Sequence, residues 1–68
     1  MLTKINDRTW ASLKGVEEIA IHDKYLYGLQ KYYVTITTGK VVYDSEEFLT
    51  FDEAEKYALE MVSQANLE

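Results

Sequence analysis

Chemistry needs a nucleophile beside a base, a set of metal ligands or a cradle for phosphate, and this 68-residue chain offers few places to start. His22 is the sole histidine; followed by Asp23 at the end of an extended run, it reads as a surface residue. Asp44, Glu46 and Glu47 make an acidic cluster but lack the Asp-x-Asp-x-Asp-Gly spacing of a calcium loop, and read as a solvated turn. Gly15, Gly28 and Gly39 stand too far apart to wrap a phosphate. Cysteine is absent, which removes thiolate zinc sites and disulfides alike. The expectation is a protein with no catalytic residue, no metal and no cofactor.

The elements that would position a binding surface are easier to read. Residues 50–65, TFDEAEKYALEMVSQA, open on a capping box: the Thr50 hydroxyl accepts from the N–H three residues on, while Glu53 reaches back to the Thr50 N–H. Leu49 and Ala54 are spaced for a hydrophobic staple. Asp52, Glu53 and Glu55 put negative charge where the helix dipole favours it. Phe51, Ala54, Tyr57, Ala58, Met61, Val62 and Ala65 gather on one side of a helix over about residues 50–64. Leu59 falls off that stripe, where it either packs on a loop or touches a partner.

A helix of this length is marginal alone and needs a sheet to lie on. KYYVTIT, residues 31–37, alternates cleanly: Tyr32, Val34 and Ile36 point one way, Tyr33, Thr35 and Thr37 the other. Residues 16–27 read as extended, with a turn at Gly28. Thr38-Gly39 turns the chain again into residues 40–44. Pairing Ile36 with Val41 and Val34 with Tyr43 keeps one face apolar, and a one-residue slip would destroy that. The opposite face then sets Tyr33 against Asp44, Thr35 against Val42 and Thr37 against Lys40. Residues 1–15 admit two readings. Asp7 would cap a helical turn carrying Trp10 and Leu13 and ending at Gly15, or Thr9 to Leu13 would be a strand turning at Lys14-Gly15. The helical turn is the expectation. The whole is a single α+β domain over 1–68, a small antiparallel sheet of about three strands with one C-terminal helix packed on one face.

Part of this pattern resembles a known family. Tyr32-Tyr33-Val34, the Gly39-Lys40 turn, Phe48-x-Thr50 and Glu53-Ala54-Glu55 are similar to the arm-binding N-terminal domain of phage and transposon tyrosine integrases. That resemblance implies a three-stranded sheet on a C-terminal helix, with the sheet entering the DNA major groove. The family's hairpin is rich in arginine and lysine; here Lys31 and Lys40 stand alone, followed by Asp44, Glu46 and Glu47. The resemblance therefore supports the architecture and not DNA binding.

Charge divides the chain. The net charge is −5. Residues 1–43 hold six basic against four acidic residues, and residues 44–68 hold one against eight, so the acidity belongs to the helix and the loop before it. An acidic chain argues against a strong nucleic-acid binder. No apolar run reaches membrane-spanning length, and MLTKINDR lacks an h-region, so a cytoplasmic protein without a membrane partner is expected. Leu67-Glu68 has the look of a cloning remnant. Six tyrosines favour an interface on the uncovered sheet face. The expected function is a protein-binding or adaptor module of bacterial or phage type. It would act through Tyr33, Thr35, Thr37, Lys40, Val42 and Leu59 on a protein partner or a second copy of itself. Two alternatives stand beside it: a sheet-face nucleic-acid binder using Lys24, Lys31, Lys40 and stacking tyrosines, and an acidic decoy for a basic protein site.

Overall fold

The computed structural model describes residues 1–12 and 17–66. Among them five strands precede one helix: β1 (Leu2–Asn6), β2 (Thr9–Ser12), β3 (Glu17–Leu26), β4 (Leu29–Thr38), β5 (Val41–Asp44) and α1 (Phe51–Asn66). The strands pair antiparallel in chain order, β1-β2-β3-β4-β5. The α+β class and the helix stand as expected; the sheet has five strands where about three were expected. The expectations for Leu13, Lys14, Gly15, Val16, Leu67 and Glu68 lie outside the described residues.

The added strands come from the N-terminus, where the expected helical turn does not form. Asn6 Oδ1 accepts from the Arg8 N–H at 2.9 Å, turning the chain at Asp7-Arg8 so that β2 folds back on β1. Asp7 therefore caps no helix. Trp10 pairs with Lys4 on one side and Ile19 on the other, and its indole is buried beneath α1. A helical turn would have left that ring little to pack on.

Two tight turns set the central register. Tyr27 and Gly28 both have positive φ, 54° and 76°, as a type I′ turn requires, and they join Leu26 to Leu29. Gly39 has φ 61° while Lys40 does not share it, which fits type II′. That second loop is two residues long, so Thr38 faces Val41, Ile36 faces Tyr43, Thr37 faces Val42 and Thr35 faces Asp44. The faces are those expected from alternation. The individual pairs are displaced by two residues, because the two turn residues are Gly39 and Lys40 rather than the expected Thr38 and Gly39.

The helix starts at its cap. The Glu53 N–H donates to Thr50 Oγ1 at 3.2 Å, and the same hydroxyl donates to Glu53 Oε1 at 3.0 Å. The carboxylate thus closes on the hydroxyl rather than on the backbone N–H of Thr50. Leu49 is exposed and staples nothing; Phe48 does the packing instead, its ring 5.6 Å from that of Tyr57. All of the expected stripe turns inward. Ala54 and Ala58 are fully buried, letting α1 approach the sheet closely over Val34, which is also fully buried. Phe51, Tyr57, Met61 and Ala65 fill the margins of a core built on Leu2, Trp10, Ile19, Ile21, Val34 and Val62. At the far end the Asn66 amide accepts from the Leu2 N–H at 2.8 Å and donates to the Leu2 carbonyl at 3.3 Å, tying the helix to β1. Among the described residues no helix is long and apolar enough to cross a membrane.

Trp10→Ala should cost about 3–5 kcal/mol in urea or thermal unfolding. That is a large part of what a domain this small has, and a loss under about 1 kcal/mol would place the N-terminal hairpin outside the core. Thr50→Ala should cost about 1 kcal/mol through the lost cap.

Candidate functional site

Register assigns the side chains of the sheet to two faces. Ile19 pairs with Ile36 and Ile21 with Val34 beneath α1. The alternate residues Glu18, Ala20, His22, Lys24 and Leu26 of β3 and Leu29, Lys31, Tyr33, Thr35 and Thr37 of β4 therefore line the opposite, open face. Val42 and Asp44 of β5 join them. Of the residues expected to form a site, Tyr33, Thr35, Thr37 and Val42 share this face, and Lys40 stands in the turn at its corner. Leu59 does not join them: it is half exposed on the outer side of α1, across the molecule.

The middle of the open face is a set of mutual contacts. His22 lies in mid-strand, not at the strand end expected for it, because β3 continues to Leu26. Its Nε2 is 2.9 Å from Thr35 Oγ1, and its ring stacks on Tyr33 with centroids 5.3 Å apart. Lys24 stands 6.0 Å above the Tyr33 ring. Ala20 and Ala11 on this face are buried although no helix covers them. Taller residues stand on either side of each, Thr9 and Thr35 beside Ala20, Thr3 and Glu18 beside Ala11.

Beside Lys24 and Lys31 the acidic loop folds back. Phe48 and Tyr32 exchange backbone hydrogen bonds at 2.8 and 2.7 Å, which carries Glu47 to Lys24 and Lys31. Glu47 ion-pairs with both, at 3.5 Å for Lys31. A depression of about 270 Å³ opens between Lys24, Tyr33, Asp44, Ser45 and Glu47. The hydrogen bond from Lys24, then the charges of Lys24 and Lys31, hold the Glu47 carboxyl below the ordinary glutamate value. The same hydrogen bond raises Lys24. Two of the three lysines named for nucleic-acid binding are thereby engaged within the chain. Among the described residues no group of three or more His, Asp or Glu side chains is placed to hold a metal ion.

The largest apolar exposure lies at the hairpin tip, which sequence reasoning passed over as strand and turn. A ten-residue strand spans about 33 Å, whereas a sixteen-residue helix spans about 24 Å. The Phe51 ring at the helix start meets Tyr32 edge-on at 5.9 Å. Beyond that level Tyr25, Leu26, Tyr27 and Leu29 project uncovered, Tyr27 being 94% exposed. The available signal was the count of apolar residues around Tyr27-Gly28 against a helix stripe too short to cover them.

No protein-family model, curated protein or solved structure matches the chain.

The Glu47 pair has a defined pH signature. Its lowered carboxyl favours the folded state above the ordinary value of 4.5, a contribution lost as pH falls through the lower folded value. The raised Lys24 contributes below 10.5, and that is lost as pH rises through its higher folded value. Carboxyl-detected NMR should show Glu47 titrating below 4.5. Lys24→Met should return it most of the way and Lys31→Met less; no response to Lys24→Met would mean the pair does not form in solution.

Proposed function

We propose that this protein is a small non-catalytic binding module that engages a protein partner through the tip of the β3–β4 hairpin and the adjoining open face. One observation carries the reading. Tyr27 holds a left-handed backbone, φ 54°, at the most exposed point of the hairpin. Non-glycine residues occupy that region at a cost of about 1–2 kcal/mol, and asparagine tolerates it best. At 94% exposure the Tyr27 side chain takes little part in packing among the described residues. Strain of this kind, kept where it serves no packing purpose, marks a functional position.

The surroundings fit. Tyr25 on the helix side and Leu26 and Leu29 on the open face surround Tyr27 at the tip, and apolar exposure gathered at one end of a hairpin suits insertion into a protein cleft. Tyrosine gives large contact area for few frozen rotors. Tyr33, Thr35 and Thr37 continue from the tip as a polar shoulder able to hydrogen-bond a partner's rim. The nucleic-acid reading has less support, since Glu47 holds Lys24 and Lys31.

Replacing Tyr27 with asparagine separates folding from binding. Tyr27→Asn creates an Asn-Gly type I′ turn and should raise stability by about 1 kcal/mol, seen as a melting point about 4–8 °C higher. A photo-crosslinking phenylalanine analogue at position 27 should capture a discrete protein in the native host, and one at Lys56 on the outer helix face should not. Tyr27→Asn should abolish binding of that protein. A stabilised variant that still binds it would remove the tip from the interface.

A further inference from the structure

The two edges of the sheet are built differently. At β1 the pairing register breaks between Lys4 and Asn6. Lys4 sits inside the strand, its Nζ 5.6 Å from the Trp10 ring centroid, and Asn66 occupies both backbone groups of Leu2. A bulge, a lysine within the strand and a covering side chain are among the usual devices that stop an edge from templating another strand. β5 is short but carries none of them. Val41, Val42 and Tyr43 are 47%, 60% and 60% exposed. The principal contacts of α1 are with β3, β4 and β1, so the helix side of β5 is open too.

The hydrogen-bond phase of β5 is fixed by its neighbour. Tyr32 exchanges bonds with Phe48, and the Val34 carbonyl accepts from the Ser45 N–H at 2.8 Å, so even-numbered β4 residues bond towards β5. Ile36–Tyr43 and Thr38–Val41 are then the bonded pairs, and the backbone groups of Val42 and Asp44 face outward. A second copy pairing antiparallel must match outward residues with outward residues. Centring on Val42 does so. It places Val42 against Val42 of the second copy, Val41 against Tyr43, and Lys40 against Asp44. Sliding by two residues sets Val42 against Asp44 in one direction or against Lys40 in the other, and forfeits the charge pairing. Among the described residues neither Lys40 nor Asp44 has an ion-pair partner within the chain.

We infer that the protein self-associates edge to edge, β5 against β5 of a second copy, in the antiparallel register centred on Val42. The two sheets join into one, with both helices on the same side. Lys40–Asp44 pairs close each end of the seam on the open face, and Val41–Tyr43 contacts lie on the helix side. The segment Lys-Val-Val-Tyr-Asp is its own complement when reversed, opposite charges at the ends and apolar residues between. An interface of this size is small, so the association is concentration-dependent.

Sedimentation equilibrium from about 10 µM to about 1 mM should show the mass rising from monomer towards dimer. Lys40→Asp and Asp44→Lys each set like charges against each other twice, and each should weaken association by roughly tenfold or more while leaving the circular dichroism unchanged. An equimolar mixture of the two variants should dimerise again, because every facing pair is once more of opposite sign. Tyr27→Asn should dimerise like the parent. A parent that stays monomeric, a dimer indifferent to both reversals, a mixture that stays monomeric, or a dimer lost in Tyr27→Asn would each overturn the β5 seam. The last would assign self-association to the hairpin tip.

Discussion

One helix has to serve a sheet wider than itself. An α-helix with its side chains is about 10–12 Å across, whereas five strands at about 4.8 Å spacing make a sheet about 19 Å wide. The chain resolves the mismatch by laying α1 obliquely, from Phe51 over Tyr32 to Asn66 beside Leu2, across β4, β3 and β1. Ala54 and Ala58 bring the helix down close on Val34, and the larger Phe51, Tyr57 and Met61 seal the margins. What the diagonal misses is determined by the same geometry. β5 lies off one side, the hairpin tip projects past one end, and the far face of the sheet is never approached.

Local signals recovered the parts of this arrangement that local chemistry specifies. Thr50 and Glu53 announce the helix because a cap acts within four residues. Tyr32, Val34 and Ile36 announce their face because alternation is a property of one strand. The N-terminal hairpin is different. Trp10 fits a helical turn or a strand equally well, and what decides is pairing with Ile19 across the sheet together with an Asx turn at Asn6. The β4–β5 pairing shows the same limit. Alternation gave the faces, but consecutive valines at 41 and 42 are equally apolar on both sides. Only the φ of Gly39 sets which residues stand opposite.

The open side of the sheet was legible by face and not by contact. Tyr33, Thr35, Thr37 and Val42 were placed together by counting in twos. That Tyr33 would be stacked by His22 and overhung by Lys24 depends on rotamers that sequence does not print. The role of Glu47 was further out of reach, since it depends on the loop returning through the Phe48–Tyr32 bridge. The residues that resemble the integrase arm-binding domain fall in β4, the Gly39-Lys40 turn and the helix cap. These are the segments where a hairpin followed by a capped helix leaves its plainest mark.

Uncovered apolar residues at a hairpin tip and on an edge strand would ordinarily invite aggregation. The distribution of charge answers that hazard. Half of the acidic residues sit on α1 and in the loop after β5, with a single lysine among them, and copies carrying a net −5 repel one another in most orientations. Lys40 is the only basic residue between Lys31 and Lys56, and it stands at the head of β5, opposite in sign to Asp44 at its foot. A parallel approach of two such strands sets Lys40 on Lys40 and Asp44 on Asp44. An antiparallel approach in one register sets each on the other. Net charge thus opposes most approaches of two copies, while Lys40 and Asp44 favour the one antiparallel register inferred for β5.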